Sequence, residues 1–374
     1  MPSFNIENYI NSLPEDIESI DVSGKFLTYL PSLKRFHKLR KLDCSFNQLK
    51  SLPELNNELW ELYCGRNQLT TLPELNDALQ HLDCSENQLT SLPEFNDALQ
   101  HLDCSKNKLT CLPELNDALK HLECSRNKLT YLPELNDALE DLECSRNKLT
   151  SLPKLNDALQ LLSCGCNQLT SLPELNDALL ILRCGHNQLT SLPELNNELQ
   201  ELYCHDNQLT SLPELNNVLE IDCIGNQLTS LPKLNNDLEF LNCSHNLLTR
   251  LPELNPELRH LNCRNNQLTS LPKLNNKLES FTCHDNLLPE RLSYMFNAWL
   301  NKEEDKNRLN NAIQCLHRFK LLFWSLKYKQ QFRDWLWLRV RMPKIEKTYH
   351  PSKLNELLNA DMSEEELDNM ISAW

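Results

Sequence analysis

Phe95 to Glu114 reads FNDALQHLDCSKNKLTCLPE, and these twenty residues return with small changes from about residue 40 to residue 288 of a 374-residue chain. Aligned on its Leu-x-Cys step, the repeat places cysteine at 44, 64, 84, 104, 124, 144, 164, 184 and 204. After the loss of one residue it continues at 223, 243, 263 and 283. Asparagine follows each of these thirteen cysteines by three residues, from Asn47 through Asn107 to Asn286. A degenerate earlier copy begins at Ile20-Asp21-Val22, with Lys25 in place of the asparagine. A fixed short period of this kind is the signature of a solenoid.

The physical reading of one copy supports this. In Leu99-Gln100-His101-Leu102-Asp103-Cys104-Ser105, alternation along a strand turns Leu102 and Cys104 inward and His101, Asp103 and Ser105 outward. One unit cannot bury its leucines alone. Stacked on its neighbours it buries each of them, at about 1.5–3 kcal/mol per side chain. Asn107 stands where the chain leaves the strand, and its amide can bond backbone groups that the turn leaves inside. Pro113 fixes φ and donates no N–H, so the return segment is predicted to be extended and not helical. Asn116-Asp117 then supplies a turn before the next strand.

The pattern L-x-x-L-x-C-x-x-N-x-L at a period of about 20 resembles the leucine-rich repeat in its shortest variety. It is similar to the repeats of secreted bacterial effectors, which also carry a Leu-Pro step like Leu92-Pro93. The resemblance implies a curved horseshoe solenoid, with short parallel strands on the concave face and extended, polyproline-like segments on the convex one. It also implies that function resides in the variable outward columns.

Composition fits that expectation. Thirteen of the 16 cysteines occupy one inward column. Although strand neighbours come within disulfide range, their side chains run parallel, so they read as buried free thiols acting as small hydrophobes. That favours a reducing, cytoplasmic compartment. The sequence contains neither a recognisable signal peptide nor an apolar run long enough to cross a bilayer. No cofactor or metal is implied, and a monomer is expected.

Residues 1–40 are predicted to cap the solenoid, with a short helix near Asn5–Ile10. Residues 41–288 form the solenoid itself. On its outward face one column reads His81, His101, His121 and Asp141, and its neighbour reads Asp83, Asp103, Glu123 and Glu143. A third reads Glu86, Lys106, Arg126 and Arg146. With strands about 4.8 Å apart these are stripes of histidine, acid and base. They suit docking of a partner with complementary charge, although duplication of a solvated surface would also produce them. Metal binding by His81, Asp83, His101 and Asp103 is disfavoured because strand neighbours project in parallel.

Farther along, Leu161 and Ile181 replace charge, Tyr203 adds an aromatic and Phe240 continues the apolar trend, a better energetic anchor for a protein partner. Cys166 and His186 share a column next to His205 and Asp206. A cysteine, a histidine and an acid could be a nucleophile with its base or part of a metal site, but an open surface offers no oxyanion hole, and no enzyme is indicated.

Residues 289–374 differ in composition, holding five of the six tryptophans and none of the glycines. Helices are predicted after Pro289 to about Leu300, from Lys306 through Leu326, and after Ser363. Residues 306–347 carry a net charge of +9, whereas the protein as a whole is at −15. This basic aromatic stretch suits docking on the acidic solenoid, or binding nucleic acid or an anionic membrane. Within it Phe332-Arg333-Asp334-Trp335-Leu336-Trp337, and just past it Tyr349-His350-Pro351, resemble the C-terminal segment of uncharacterised giant-virus proteins, which would imply the cytoplasm of an infected host. Cys315-Leu316-His317 does not fit the Cys-x-Asp motif of effector ubiquitin ligases. The resulting expectation is a non-enzymatic scaffold that binds a partner protein, a host protein included, through the concave face. An adaptor for a ubiquitin ligase, or an effector acting through its tail, is the alternative.

Overall fold

In the computed structural model the described residues are 4–288 together with Asn310, Asn311, Ile313, Gln314 and Arg318. The helices expected in 289–374 otherwise lie outside them, as does the segment resembling giant-virus proteins. The five described positions beyond 288 are helical.

Residues 4–288 form a parallel β-solenoid. After α1 (Ile6–Ser12) come fourteen strands of three residues each, hydrogen-bonded in sequence order as one parallel sheet. They are β1 (Ser19–Asp21), β2 (Lys41–Asp43), β3 (Glu61–Tyr63), β4 (His81–Asp83), β5 (His101–Asp103), β6 (His121–Glu123) and β7 (Asp141–Glu143). They continue as β8 (Leu161–Ser163), β9 (Ile181–Arg183), β10 (Glu201–Tyr203), β11 (Glu220–Asp222), β12 (Phe240–Asn242), β13 (His260–Asn262) and β14 (Ser280–Thr282). The degenerate copy at Ile20 supplies β1. The return segments carry neither helix nor strand, as the Leu-Pro step leads one to expect.

The register is that of the repeat: His81 faces His101, Leu82 faces Leu102 and Asp83 faces Asp103. The middle residue of each strand points into the core, as does the residue after it, Val22 after β1 and a cysteine after β2 to β14. Leu142, Cys144, Leu162 and Cys164 are fully buried, and the thirteen ladder cysteines are all free thiols.

Beyond β2 to β13 the backbone continues to pair, because the residue before each recurring asparagine adopts the left-handed conformation. Lys106, Arg126, Arg146, Cys166 and His186 have φ between 53° and 59°. Each donates its N–H to the carbonyl of the following repeat, as Arg126 does to Ser145 at 2.8 Å. The asparagine then closes the turn. Asn147 donates from Nδ2 to the Cys144 and Cys124 carbonyls, both at 3.0 Å, and accepts from the Leu129 N–H at 3.0 Å.

A second asparagine ladder runs through the far side of each repeat. Asn136 donates to the Asn116 and Leu119 carbonyls at 2.8 and 2.9 Å, and Asn176 does the same to Asn156 and Leu159. At residue 310 another asparagine meets Leu274, accepting its N–H at 3.0 Å and donating to its carbonyl at 3.1 Å.

At the other end α1 is capped by Asn5, whose side chain accepts from the Asn8 N–H, and it buries Ile6 and Ile10. The Arg35 guanidinium bonds the Ile10 and Leu13 carbonyls and so covers backbone acceptors at the helix end.

Candidate functional site

Because strand residues alternate, the outward positions of β3 to β7 stand in columns. The histidine column becomes a stack: the rings of His81, His101 and His121 lie 4.3 Å apart in succession, with planes 10° from parallel. His121 Nδ1 meets Asp141 Oδ2 at 2.6 Å, so the stack ends on a carboxylate. Burial, reinforced by the flanking imidazoles His81 and His121, holds His101 below the ordinary imidazole range. A charged ring there would lose water and face two neighbours at stacking distance.

The acid column runs alongside. Asp83 accepts from the Ser85 N–H at 2.9 Å and from its hydroxyl at 2.6 Å. Asp103 accepts from the Ser105 N–H at 2.9 Å and Glu123 from the Ser125 N–H at 3.0 Å. These bonds favour the ionised form, but burial opposes them and raises Asp103. Glu123 is pushed up to about 7, chiefly by burial and further by the Glu143 carboxylate beside it. Together the two columns and Tyr63 line an open groove of about 330 Å³.

Past the acids lies the column of left-handed residues. Glu86 is bracketed by Arg66 at 3.2 Å and Lys106 at 2.5 Å, while Arg126 and Arg146 pair with no carboxylate among the described residues. Another depression of about 340 Å³ is lined by these cations together with Asp103, Glu123 and Glu143. The three stripes expected from sequence are therefore brought together, with histidine and base on either side of acid.

The apolar residues are not gathered in the same way. Leu161 and Ile181 are register partners on β8 and β9. Phe240 lies three strands farther on, with Glu201 and Glu220 between, and its ring packs against His260 at 6.0 Å. Tyr203 is tied by its hydroxyl to Glu220 at 2.9 Å, with the Arg183 guanidinium over its ring. What sequence reasoning missed is the stacking of the imidazoles and the raised Glu123. The first follows from histidine recurring at one outward position.

Glu123 gives the groove a pH dependence whose sign is fixed. Its proton is held more tightly in the folded chain, at about 7, than at the ordinary glutamate value of about 4.3. Stability from this residue is therefore complete below about pH 4.3 and is lost as pH rises toward 7. Glu123→Gln is expected to raise unfolding stability by about 1 kcal/mol at pH 8, discounting for its partial exposure, with the gain vanishing near pH 4. Denaturant unfolding of both chains at the two pH values checks this, and a gain of equal size at pH 4 contradicts it.

No family model and no curated protein matches the chain. Among solved structures it is similar to YopM from Yersinia enterocolitica at 32% identity, covering 76% of this chain and 67% of that one with a TM-score of 0.66. YopM from Yersinia pestis, described as a leucine-rich effector protein, matches at 32% identity over 75% of this chain and 80% of its own, with a TM-score of 0.69. A leucine-rich-repeat protein of Leptospira interrogans matches at 26% identity over 77% of this chain and 94% of its own, with a TM-score of 0.63. Parallel three-residue strands stacked at the same short repeat, and a third of residues identical across most of an effector's length, establish that the chain belongs to the leucine-rich-repeat family.

Proposed function

We propose that this protein is a non-enzymatic scaffold that binds a partner protein through the outward strand face of its repeats. The observation that carries the reading is the acid column of the β3–β7 groove. Asp83, Asp103, Glu123 and Glu143 stand at consecutive register positions beside an imidazole stack, so their carboxyl groups fall along a line instead of being scattered. A partner crossing this line with a cationic segment would meet about one carboxylate per strand spacing, and the bases beyond would reject a segment of the wrong register. Leu161 and Ile181, adjoining Asp141, add an apolar contact at one end of the line.

The reading also places the protein in a cytoplasm, with the effector likeness supporting that of a host cell. Residues 289–374 are read as a helical extension. The +9 net charge of 306–347 carries a second reading, in which the tail engages nucleic acid or an anionic membrane and the solenoid presents it.

The test is affinity capture from cell lysate with the untreated chain and with Asp103→Lys/Glu123→Lys, followed by affinity measurement on whatever protein is retained. Loss of a retained protein by at least about 100-fold is expected, since like charges facing across an interface cost several kcal/mol. Equal retention by the two chains overturns the groove as the docking line. Salt-sensitive recovery of nucleic acid or lipid alone by both chains favours the tail.

A further inference from the structure

Away from the acid groove, at the turns that follow β9 and β10, three potential ligands converge. His186 is the left-handed residue after β9, and Asp206 occupies the same position one repeat later, with His205 just before it. Asp206 Oδ2 lies 3.5 Å from His186 Nδ1 and 3.2 Å from His205 Nδ1, and all three ligand atoms fall within 4.8 Å of one another. Bonds of 2.0–2.1 Å in a tetrahedral site put ligand atoms roughly 3.3 Å apart, so both Asp206 distances match a shared ion.

Two further features show that the space has been cleared for these side chains. The His205 ring lies across Gly185, where an added Cβ would sit 2.5 Å from its Cε1 and Nε2. The Asp206 carboxylate lies across Gly225, where a Cβ would collide with Oδ1. Only five glycines occur in the whole chain, and two of them are at these contacts. Ring orientation separates this cluster from the histidine stack. His81, His101 and His121 are nearly parallel and aim alike, whereas His186 and His205 stand at 86° and are able to converge.

We propose that His186, His205 and Asp206 bind one divalent transition-metal ion of the zinc class. Two imidazoles and one carboxylate are the donor set suited to such an ion, and three protein ligands leave a position open to water or to a group from a partner. The site bridges two successive repeats. Cys166, one repeat earlier in the same column, stays outside the ligand set.

The test is titration of the untagged full chain, kept reduced and stripped of metal, with Zn²⁺ and with Co²⁺ against a chromophoric competitor. One equivalent is expected to bind. His186→Ala and His205→Ala are each expected to weaken it by at least about 100-fold, since loss of even a supporting residue costs 10–100-fold. Gly185→Ala, which keeps every ligand but pushes the His205 ring aside, is expected to weaken it by about tenfold. Thermal unfolding without metal confirms that each variant folds. His101→Ala and Cys166→Ser should bind as the parent does. Absence of saturable binding overturns the proposal, as does binding that His205→Ala leaves intact or that His101→Ala abolishes. Parent-like affinity in Gly185→Ala overturns the assigned role of the cleared space.

Discussion

Asn147→Leu is expected to destabilise the solenoid by about 3–5 kcal/mol, although leucine keeps asparagine's number and branching of side-chain heavy atoms and the site is buried. The reason is a count of partners. The Leu129 N–H points into the core and has Asn147 Oδ1 as its acceptor, so the substitution leaves a buried donor unpaired at about 1–3 kcal/mol. The Cys124 carbonyl keeps its bond from Asn127, and the Cys144 carbonyl keeps that from Asn167, so each acceptor loses one of two bonds at about 1 kcal/mol.

The second ladder provides the comparison. Asn176 donates two bonds, to the Asn156 and Leu159 carbonyls, while its own buried Oδ1 has no partner. Asn176→Leu strands no N–H but takes from the Asn156 and Leu159 carbonyls the one hydrogen bond each receives among the described residues, a cost partly offset by removing the unsatisfied Oδ1, so a smaller loss of about 1–3 kcal/mol is expected. Denaturant unfolding followed by circular dichroism measures both. Equal losses, or a loss at Asn147 below 1 kcal/mol, would show that the first ladder does not hold successive turns together.

That contrast also marks how far the sequence could be read. The solenoid, the inward leucine and cysteine columns and the role of Asn107 and its equivalents were legible because each is forced by a backbone need that recurs every twenty residues. Asn116 and its equivalents recur as faithfully, yet they suggest only a turn, since nothing in sequence reveals that the carbonyls of the previous repeat lie within reach.

The left-handed residue before each ladder asparagine was hidden for a different reason. Phe46, Arg66, Glu86, Lys106, Cys166 and His186 occupy it, Gly225 does so before Asn226, and Gly24 holds the equivalent place before Lys25 in the degenerate copy. Their φ is imposed by the ladder bond to the next repeat, so the expected glycine signal is absent. The outward stripes were legible as columns, whereas ring stacking and the raised Glu123 depend on burial, which one strand does not disclose.

Thiol chemistry is expected to divide the cysteines by at least three orders of magnitude in rate. Burial pushes Cys44, Cys164 and Cys283 up to about 12, and it holds Cys144, Cys184 and Cys204 well above the ordinary thiol range. At pH 8 a thiol of ordinary pKa near 8.5 is roughly one quarter thiolate, while one at about 12 is thiolate in roughly one molecule in 10⁴. Exclusion of the reagent widens the gap, so ladder cysteines react only when their repeat opens.

Cys111 is exposed and Cys166 half-buried, and both should label at the rate of accessible thiols. Among the ladder, Cys283 should follow first, because β14 pairs with β13 alone among the described strands while β7 and β8 are held on both sides. Timed alkylation with peptide mapping reads this order, and labelling of Cys144 alongside Cys111 without denaturant would refute it. The same insulation limits what the ladder says about compartment. Thiols that meet neither oxidant nor reductant stay reduced in any surroundings, so among the described cysteines it is the exposed Cys111 and the half-buried Cys166 whose redox state would report where the protein works.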